Sequence, residues 1–171
     1  TNPCSEIILR PNQFCNLSEV VVRSSDTADD LRRKVRLATI LGTLQATLTD
    51  FRYLRSKWKQ NTEEEALLGV SMTGIMDSKM TNGYNKGLPT LLEALKNEAI
   101  KTNKEWAKKL GINQAAAITC VKPSGTVSQL VDSASGIHGR FADYYIRRVR
   151  ADVRDPLCEV LKEAGVPHEV D

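Results

Sequence analysis

Short apolar runs of strand length alternate along this chain with longer stretches whose apolar residues recur every three or four positions. The first pattern is typical of buried β-strands and the second of amphipathic α-helices. A chain that alternates between them favours parallel strands, because each helix returns the chain to the same end of the sheet. The sequence therefore predicts an α/β fold with mostly parallel pairing.

The individual elements follow from the same patterns. A capping-box pattern opens the first helix at Asp26, and Gly69 and Gly74 indicate a strand that other groups approach closely. Strands are predicted at 7–9, 20–22, 67–75, 115–121 and 144–149. Helices are predicted to begin at Asp26 and Thr62, and to cover 88–102, 104–110, 127–131 and 156–164.

Composition narrows the class of protein. With 171 residues, 41% of them hydrophobic, the chain is long enough for one core. A net charge of +3 is too small for the basic excess of a dedicated nucleic-acid binder. No apolar run approaches the roughly 18 residues that span a bilayer, and the four cysteines match no zinc spacing. We therefore expect a cytoplasmic protein with no metal site and without nucleic-acid or membrane partners.

Three polar residues alternate near the start of the chain, in the string Asn2-Pro3-Cys4-Ser5-Glu6. In an extended segment such residues share one face, so an amide, a thiol and a carboxylate can converge on one ligand. The amide can hydrogen-bond a hydroxyl, the carboxylate can accept a proton, and the thiol can act as nucleophile or hydrogen-atom donor. A structural role stays open, because cysteine is often a small buried hydrophobic residue.

A second motif follows the predicted strand 115–121, in the hexapeptide Pro123-Ser124-Gly125-Thr126-Val127-Ser128. The first turn of a helix has N–H groups without partners in the chain, and a glycine leaves room for a phosphate. The serine and threonine hydroxyls add further donors. The spacing is not that of an NTPase loop, and serine at a helix start is often only a cap. Anion binding and capping are both open at this point.

Together these strings resemble a known family. The string Asn2 to Ile7, followed by Phe14-Cys15-Asn16-Leu17, is similar to the finger loop of ribonucleotide reductases, and the hexapeptide follows in the expected order. The proline after the asparagine resembles the adenosylcobalamin-dependent class II enzymes, and among these the monomeric ribonucleoside-triphosphate reductases.

The resemblance implies a role for each motif residue. Cys4 would be the thiyl radical that takes the 3′-hydrogen of the ribose, Glu6 would remove the proton of the 3′-hydroxyl, and Asn2 would hydrogen-bond a sugar hydroxyl. Cys15 would be one of two thiols that reduce the substrate and end as a disulfide. Residues 123–128 would hold the substrate's phosphates.

The resemblance also implies a larger protein. Residues 1–171 would form a single segment from the central to C-terminal part of a ten-stranded α/β barrel, with the parent chain continuing on both sides. The implied cofactor is adenosylcobalamin, and the implied partners are a ribonucleotide substrate, a thioredoxin-like reductant and a deoxynucleotide effector bound outside this segment. A polypeptide of these residues alone is expected to be inactive.

Three alternatives remain from the sequence. One is the catalytic subunit of a metal-dependent class I ribonucleotide reductase, and another is a noncatalytic phosphate-binding α/β module that uses Cys4 structurally. The third concerns Cys120, which ends a predicted strand and is either the redox partner of Cys15 or a buried structural thiol.

Overall fold

A computed structural model describes residues 4–170 of the chain, as two compact units that meet in sequence between Arg140 and Phe141. The first unit contains two strands, four α-helices and a 3-10 turn, and the second contains one helix. The elements of the first unit are β1 (Asn16–Val21), α1 (Ala28–Gln45), α2 (Ser56–Glu65), β2 (Leu68–Thr73), the 3-10 turn Ile75–Asp77, α3 (Leu88–Leu110) and α4 (Val127–Leu130). The helix of the second unit is α5 (Pro156–Glu163).

The two strands pair in parallel, with Asn16 opposite Leu68. Residues 116–120 run along the other edge of β2, where the N–H of Cys120 donates to the carbonyl of Val70 at 3.1 Å. Thr119 forms a parallel bridge with Val70. The predictions of an α/β fold, of parallel pairing and of strands within 20–22 and 67–75 are therefore confirmed. The prediction at 115–121 is confirmed only as a bridged edge segment.

One face of the sheet packs against α1 and α3 and holds the core. Residues of alternating positions on both strands, such as Val20 and Val70, meet Leu31 of α1 and Leu95 of α3. The helix α1 comes close because Gly42 stands over the sheet, where an added Cβ would lie 3.5 Å from Leu68. Burial of these apolar side chains against one another is the main stabilising contribution to this unit.

The opposite face of the sheet, which we call the loop face, carries Leu17, Glu19 and Val21 of β1 and Gly69, Ser71 and Thr73 of β2. Loops cover it. The side chain of Ile7 reaches Gly69, where an added Cβ would lie 3.1 Å from its Cδ1. At the other end of β2, the hydroxyl of Thr73 donates to the carbonyl of Ala134 at 3.0 Å. The first motif and the loop that follows the second motif thus contact one face of the sheet.

Two helix starts differ from the sequence prediction. The cap of α1 is Thr27 with Asp30, one residue later than predicted, because the carboxylate of Asp26 instead accepts from Lys34 at 2.6 Å. The prediction that a helix begins at Thr62 is wrong, since Thr62 lies in the last turn of α2. Its hydroxyl accepts from the N–H of Phe14, so it fixes the segment before β1.

Three further predictions are corrected. The helices predicted at 88–102 and 104–110 are one helix, α3, which ends at Gly111 as predicted. No strand forms at 7–9, which is flanked by left-handed residues at Ser5 and Asn12. No strand forms at 144–149, because the described part of the second unit contains only a helix and so offers no strand for it to pair with. The helix predicted at 156–164 is confirmed by α5.

Candidate active site

The segment from Cys4 to Cys15 places the first motif over the loop face. Asn2 lies outside the described residues, so its predicted position stays a prediction. The thiol of Cys4 is exposed and Glu6 is half-buried. A left-handed residue at Ser5, with a φ of 61°, turns the chain between them. The extended conformation assumed for this string is therefore wrong at Ser5.

Cys15 ends this segment, one residue before β1, and is half-buried. The pKa of its thiol is raised to about 12, mainly by burial and to a smaller extent by the negative charges of Cys120 and Glu6. A hydrogen bond from the N–H of Asn16 opposes the shift. At neutral pH the sulfur is therefore a neutral thiol, which suits hydrogen donation better than nucleophilic attack. Glu6 and Cys15, separated in sequence, are electrostatic neighbours in the fold.

The side chain of Cys120 interacts electrostatically with a residue of the first motif and with a residue next to the second. Its Sγ lies 3.2 Å from the position of an added Cβ on Gly69, which puts it on the loop face. Burial raises the pKa of its thiol to about 11; Glu6 and Glu19 raise it and Lys122 lowers it. Glu6 belongs to the first motif and Lys122 directly precedes the second. The end of the edge segment thus lies within electrostatic reach of both.

The strand order argues against a disulfide between Cys15 and Cys120. Cys15 adjoins β1 and Cys120 lies beyond β2, so one strand separates them. Neighbouring strands lie about 4.8 Å apart, which puts these backbones roughly 9.6 Å apart or more. A disulfide requires a Cα–Cα distance of about 4.4–6.8 Å. The interpretation of Cys120 as the redox partner of Cys15 is therefore disfavoured by the backbone itself.

Several polar atoms of this region are buried without a hydrogen-bond partner among residues 4–170. They include Oε2 of Glu6, both carboxylate oxygens of Glu19 and the hydroxyl of Ser71. Glu19 and Ser71 are directly paired in the β1–β2 register, so their side chains are neighbours on the loop face. Buried polar atoms without partners are costly, and a cluster of them indicates a surface built to contact further polar groups.

The second motif forms a tight turn. Ser124 has a left-handed φ of 53° and is buried, and the hydroxyl of Ser128 donates to its carbonyl. The predicted helix 127–131 is a single turn, α4, so its dipole is small and anion binding must rely on the local N–H groups. An added Cβ on Gly125 would meet no described atom within 4 Å, so the space beside it is open.

The amides of this turn distinguish it from an ordinary cap. Within the described chain, the four backbone N–H groups of residues 125–128 have no acceptor. The carbonyl oxygens of Pro123 and Ser124 lie 2.8 and 2.9 Å from the hydroxyl of Ser135 and share its proton in a bifurcated hydrogen bond. A turn whose carbonyls are bonded and whose consecutive N–H groups are available is suited to an anion.

The first motif and the loop that packs against the second motif contact β2 at positions four residues apart. Ile7 contacts Gly69, and the loop that supports the turn contacts Thr73. At about 3.3 Å per residue this corresponds to roughly 13 Å along the strand. This spacing allows one ligand to place a sugar near Gly69 and a phosphate chain near Thr73.

No group of three or more histidine, cysteine, aspartate or glutamate side chains within 4–170 is arranged to hold a metal ion. Two cavities of about 380 Å³ lie between β1 and α1 and beside the end of α2, and neither is lined by a residue of the two motifs. None of the helices in that part of the chain has the length and apolarity to cross a membrane.

The structure is similar to that of a known class of enzyme. The whole chain superposes on a crystal structure of a B12-dependent class II ribonucleotide reductase with a TM-score of 0.75 and 28% sequence identity, and covers 27% of that protein. No family model matches the chain.

Curated relatives give the same result at the level of sequence. Adenosylcobalamin-dependent ribonucleoside-triphosphate reductases of Lactobacillus acidophilus, Lactobacillus leichmannii and Levilactobacillus brevis are 30%, 29% and 29% identical to this chain over its full length. The chain spans 26% of the length of each. The resemblance predicted from the two motifs is therefore confirmed along the whole chain.

Proposed function

We propose that the full-length protein reduces ribonucleotides, most consistently ribonucleoside triphosphates, to 2′-deoxyribonucleotides by thiyl-radical chemistry. The observation that carries the proposal is that Glu6 and Cys15, which the motif places nine residues apart, are electrostatic neighbours on one face of the sheet. The similarity of the whole chain to class II reductases supports the same reaction.

The proposed chemistry assigns one role to each side chain. Cys4, as a thiyl radical, takes the 3′-hydrogen of the ribose, Glu6 accepts the proton of the 3′-hydroxyl, and Asn2 hydrogen-bonds a sugar hydroxyl. The 2′-hydroxyl leaves as water and a hydrogen replaces it, which consumes two electrons and two protons. Cys15 and a second thiol supply them and become a disulfide. Cys4 then returns a hydrogen atom to the radical at the 3′ carbon, which completes the product and makes Cys4 a thiyl radical again.

The electrostatics of Cys15 support this role. A thiol with a pKa of about 12 keeps its proton at neutral pH and can deliver it as part of a hydrogen atom. The strand order disfavours Cys120 as the second thiol, so the proposal assigns that role to a cysteine outside this segment. Cys120 is then a wall of the site, where its sulfur fills the space beside Gly69.

The proposed phosphate site is the turn Pro123-Ser124-Gly125-Thr126-Val127-Ser128. Its four available N–H groups and the open side of Gly125 support binding of a phosphate by the backbone. The hydroxyls contribute unequally, since those of Ser124 and Ser128 are buried and that of Thr126 belongs to an exposed residue. We therefore assign the side-chain contact to Thr126 and the remaining contacts to the backbone.

The larger protein follows from the same proposal. The segment would contribute to a ten-stranded α/β barrel, as a single segment of its central to C-terminal part. A thioredoxin-like dithiol would reduce the disulfide, and a deoxynucleotide effector would bind outside the segment, in a cytoplasmic enzyme. We expect a polypeptide of these 171 residues alone to be inactive, because the second thiol is missing from it.

Adenosylcobalamin is the proposed cofactor, on the basis of the relatives named for it. When bound it would supply the carbon-centred radical from which the radical of Cys4 derives. No residue here is assigned to it.

The test is nucleotide reduction by the full-length protein, with and without adenosylcobalamin. Cys4→Ser and Cys15→Ser should each abolish turnover with external dithiol, and Cys158→Ser, a thiol change in the second unit, should leave it unchanged. Cys120→Ser should retain turnover. Reduction that continues in Cys4→Ser would reject the radical assignment and favour a noncatalytic phosphate-binding module. Reduction that proceeds without cobalamin and depends on a second metal-containing subunit would indicate a class I enzyme.

The identity of the second thiol can be measured directly. After one turnover without reductant, peptide mapping should find Cys15 in a disulfide with a cysteine outside residues 1–171. A disulfide between Cys15 and Cys120 would contradict the strand order described above.

A further inference from the structure

The turn at 123–128 is supported by a neighbouring segment that the sequence motif does not include. This segment, the 131–136 loop, contacts the turn through several hydrogen bonds. The hydroxyl of Ser135 donates to the carbonyls of Pro123 and Ser124, and the N–H of Ser133 donates to the carbonyl of Ser128 at 2.9 Å. These bonds engage carbonyls of the turn, and the N–H groups of 125–128 are left available.

Packing between the two segments is also close. Gly136 has a left-handed φ of 55°, and an added Cβ would lie 2.7 Å from the carbonyl oxygen of Lys122 and 3.1 Å from that of Pro123. Only glycine fits a backbone that approaches another backbone so closely. The entrance to the turn is therefore in direct contact with the end of the 131–136 loop.

The loop is in turn anchored to the sheet. Thr73, the last residue of β2, accepts from the N–H of Gly136 at 2.9 Å and donates to the carbonyl of Ala134. The N–H of Gly74 donates to the same carbonyl at 2.8 Å. The position of the turn is thus set by the end of β2, through the loop.

A charged network fixes the other side of the loop. The carboxylate of Asp77 accepts from the N–H of Ala134 at 2.8 Å and from the guanidinium of Arg140 at 3.1 and 3.2 Å. Arg140 also bonds the side chain and the carbonyl of Asp132, at 2.8 and 3.0 Å. Arg23, just after β1, donates to the carbonyl of Asp132 at 2.8 Å. Asp132 is itself in a left-handed conformation, with a φ of 47°, which these bonds stabilise.

We propose that Ser135 and Asp77 are positioning residues of the phosphate site: Ser135 holds the carbonyls of the turn away from the bound anion, and Asp77 holds the loop that carries Ser135. The inference rests on the proposed function of the turn. Its physical reason is that a carbonyl oxygen repels a phosphate and an N–H group attracts it. A turn that loses its carbonyl partners is free to rotate these groups, and anion binding then carries the cost of reordering them.

The experiment measures steady-state reduction by the full-length protein, with inorganic tripolyphosphate and an unphosphorylated ribonucleoside as competitive inhibitors. Ser135→Ala and Asp77→Asn should each raise KM and the tripolyphosphate inhibition constant about tenfold, the loss expected for one to two hydrogen bonds, with kcat within about twofold. The ribonucleoside inhibition constant should not change, because it makes no phosphate contact. Ser135→Thr, which keeps the hydroxyl, should restore KM.

The matched control is Glu105→Gln. It removes a carboxylate that pairs with Arg36 at 3.1 Å between α1 and α3, on the helical side of the sheet. It should leave both inhibition constants unchanged, and thermal melting of each variant separates a folding defect from a binding defect. If Asp77→Asn does not fold, Ser135→Ala and its threonine rescue still decide the proposal.

The outcomes distinguish the inference from the function on which it rests. If tripolyphosphate does not compete with nucleotide in the unaltered protein, the turn is not a phosphate site and the proposed function of 123–128 fails. If it competes there and equally well in folded Ser135→Ala, the turn binds phosphate without this support, and the positioning role is overturned. A fall in kcat with unchanged KM would also overturn it.

Discussion

Replacing Gly74 with alanine should destabilise the protein by more than the same change at Gly111. Both glycines are left-handed and their backbones nearly coincide, with φ and ψ of 75° and 19° at Gly74 and of 69° and 27° at Gly111. An L-residue in this conformation costs about 1–2 kcal/mol at either site. The comparison therefore cancels the backbone contribution and isolates the surroundings.

The surroundings differ sharply. A Cβ on Gly74 would lie 2.6 Å from the carbonyl oxygen of Val22 and 3.3 Å from the Cβ of Ser133, whereas a Cβ on Gly111 would meet nothing within 4 Å. Val22 is fully buried and its N–H is bonded to Thr73, so its backbone cannot move away freely. Overpacking of this kind costs about 1–3 kcal/mol. We expect a total loss of about 2–5 kcal/mol for Gly74→Ala and about 1–2 kcal/mol for Gly111→Ala.

Urea unfolding at 25 °C, followed by tryptophan fluorescence and far-ultraviolet circular dichroism, measures both losses from the shift in midpoint at constant m-value. Equal losses, within about 0.5 kcal/mol, would mean that the Val22 carbonyl does not stand over Gly74. That result would refute the close packing of Val22, after β1, against Gly74, after β2.

Three further predictions concern the site and the first helix. Iodoacetamide at pH 8 should modify Cys4 well before Cys15, because Cys4 is exposed and the pKa of Cys15 is raised to about 12; mass spectrometry of tryptic peptides would reveal an opposite order. Glu6→Gln should lower the pKa of Cys15, since it removes a negative charge that disfavours the thiolate, and the pH profile of alkylation should move to lower pH; an unchanged profile would separate Glu6 from Cys15. Thr27→Ala should cost about 1 kcal/mol of stability in urea unfolding, because it removes the cap of α1. Hydrogen bonds from Thr27 lower the pKa of Asp30. The stability that this carboxyl contributes is therefore present above its unfolded pKa and is lost as the pH falls through its folded pKa. Thr27→Ala should weaken the dependence of stability on pH below about pH 4, and an unchanged dependence there would contradict the capping role of Thr27.

Local patterns were enough for several elements of the fold. Continuous β-branched and apolar runs identified β1 and β2, and Gly111 marked the end of α3, because these signals act within a few residues of the chain. The prediction of a strand at 144–149 is wrong because strand formation depends on more than local residue types. Its β-branched and aromatic residues favour a strand, but a strand forms only when another backbone pairs with it.

The candidate site divides in the same way. Residue types and spacing indicated Cys4, Glu6, Cys15 and the turn at 123–128, and the resemblance that these strings carry is confirmed along the chain. The supporting residues were not recognised. Asp77 and Ser135 belong to no motif, and an aspartate after a strand or a serine in a loop has no sequence signal that marks it as a partner of a distant carbonyl.

The amino-acid sequence by itself determined the alternation of strands and helices, the parallel pairing and the chemistry of the two motifs, because each depends on residue type and on separations of a few positions. The tertiary structure decided which groups meet. It brought Glu6 to Cys15, put β2 between Cys15 and Cys120, and placed the 131–136 loop under the turn. The pairing of the Cys120 segment with β2 joins residues far apart in the chain, and the cost of closing such a loop is offset only when the whole sheet and its helices pack together.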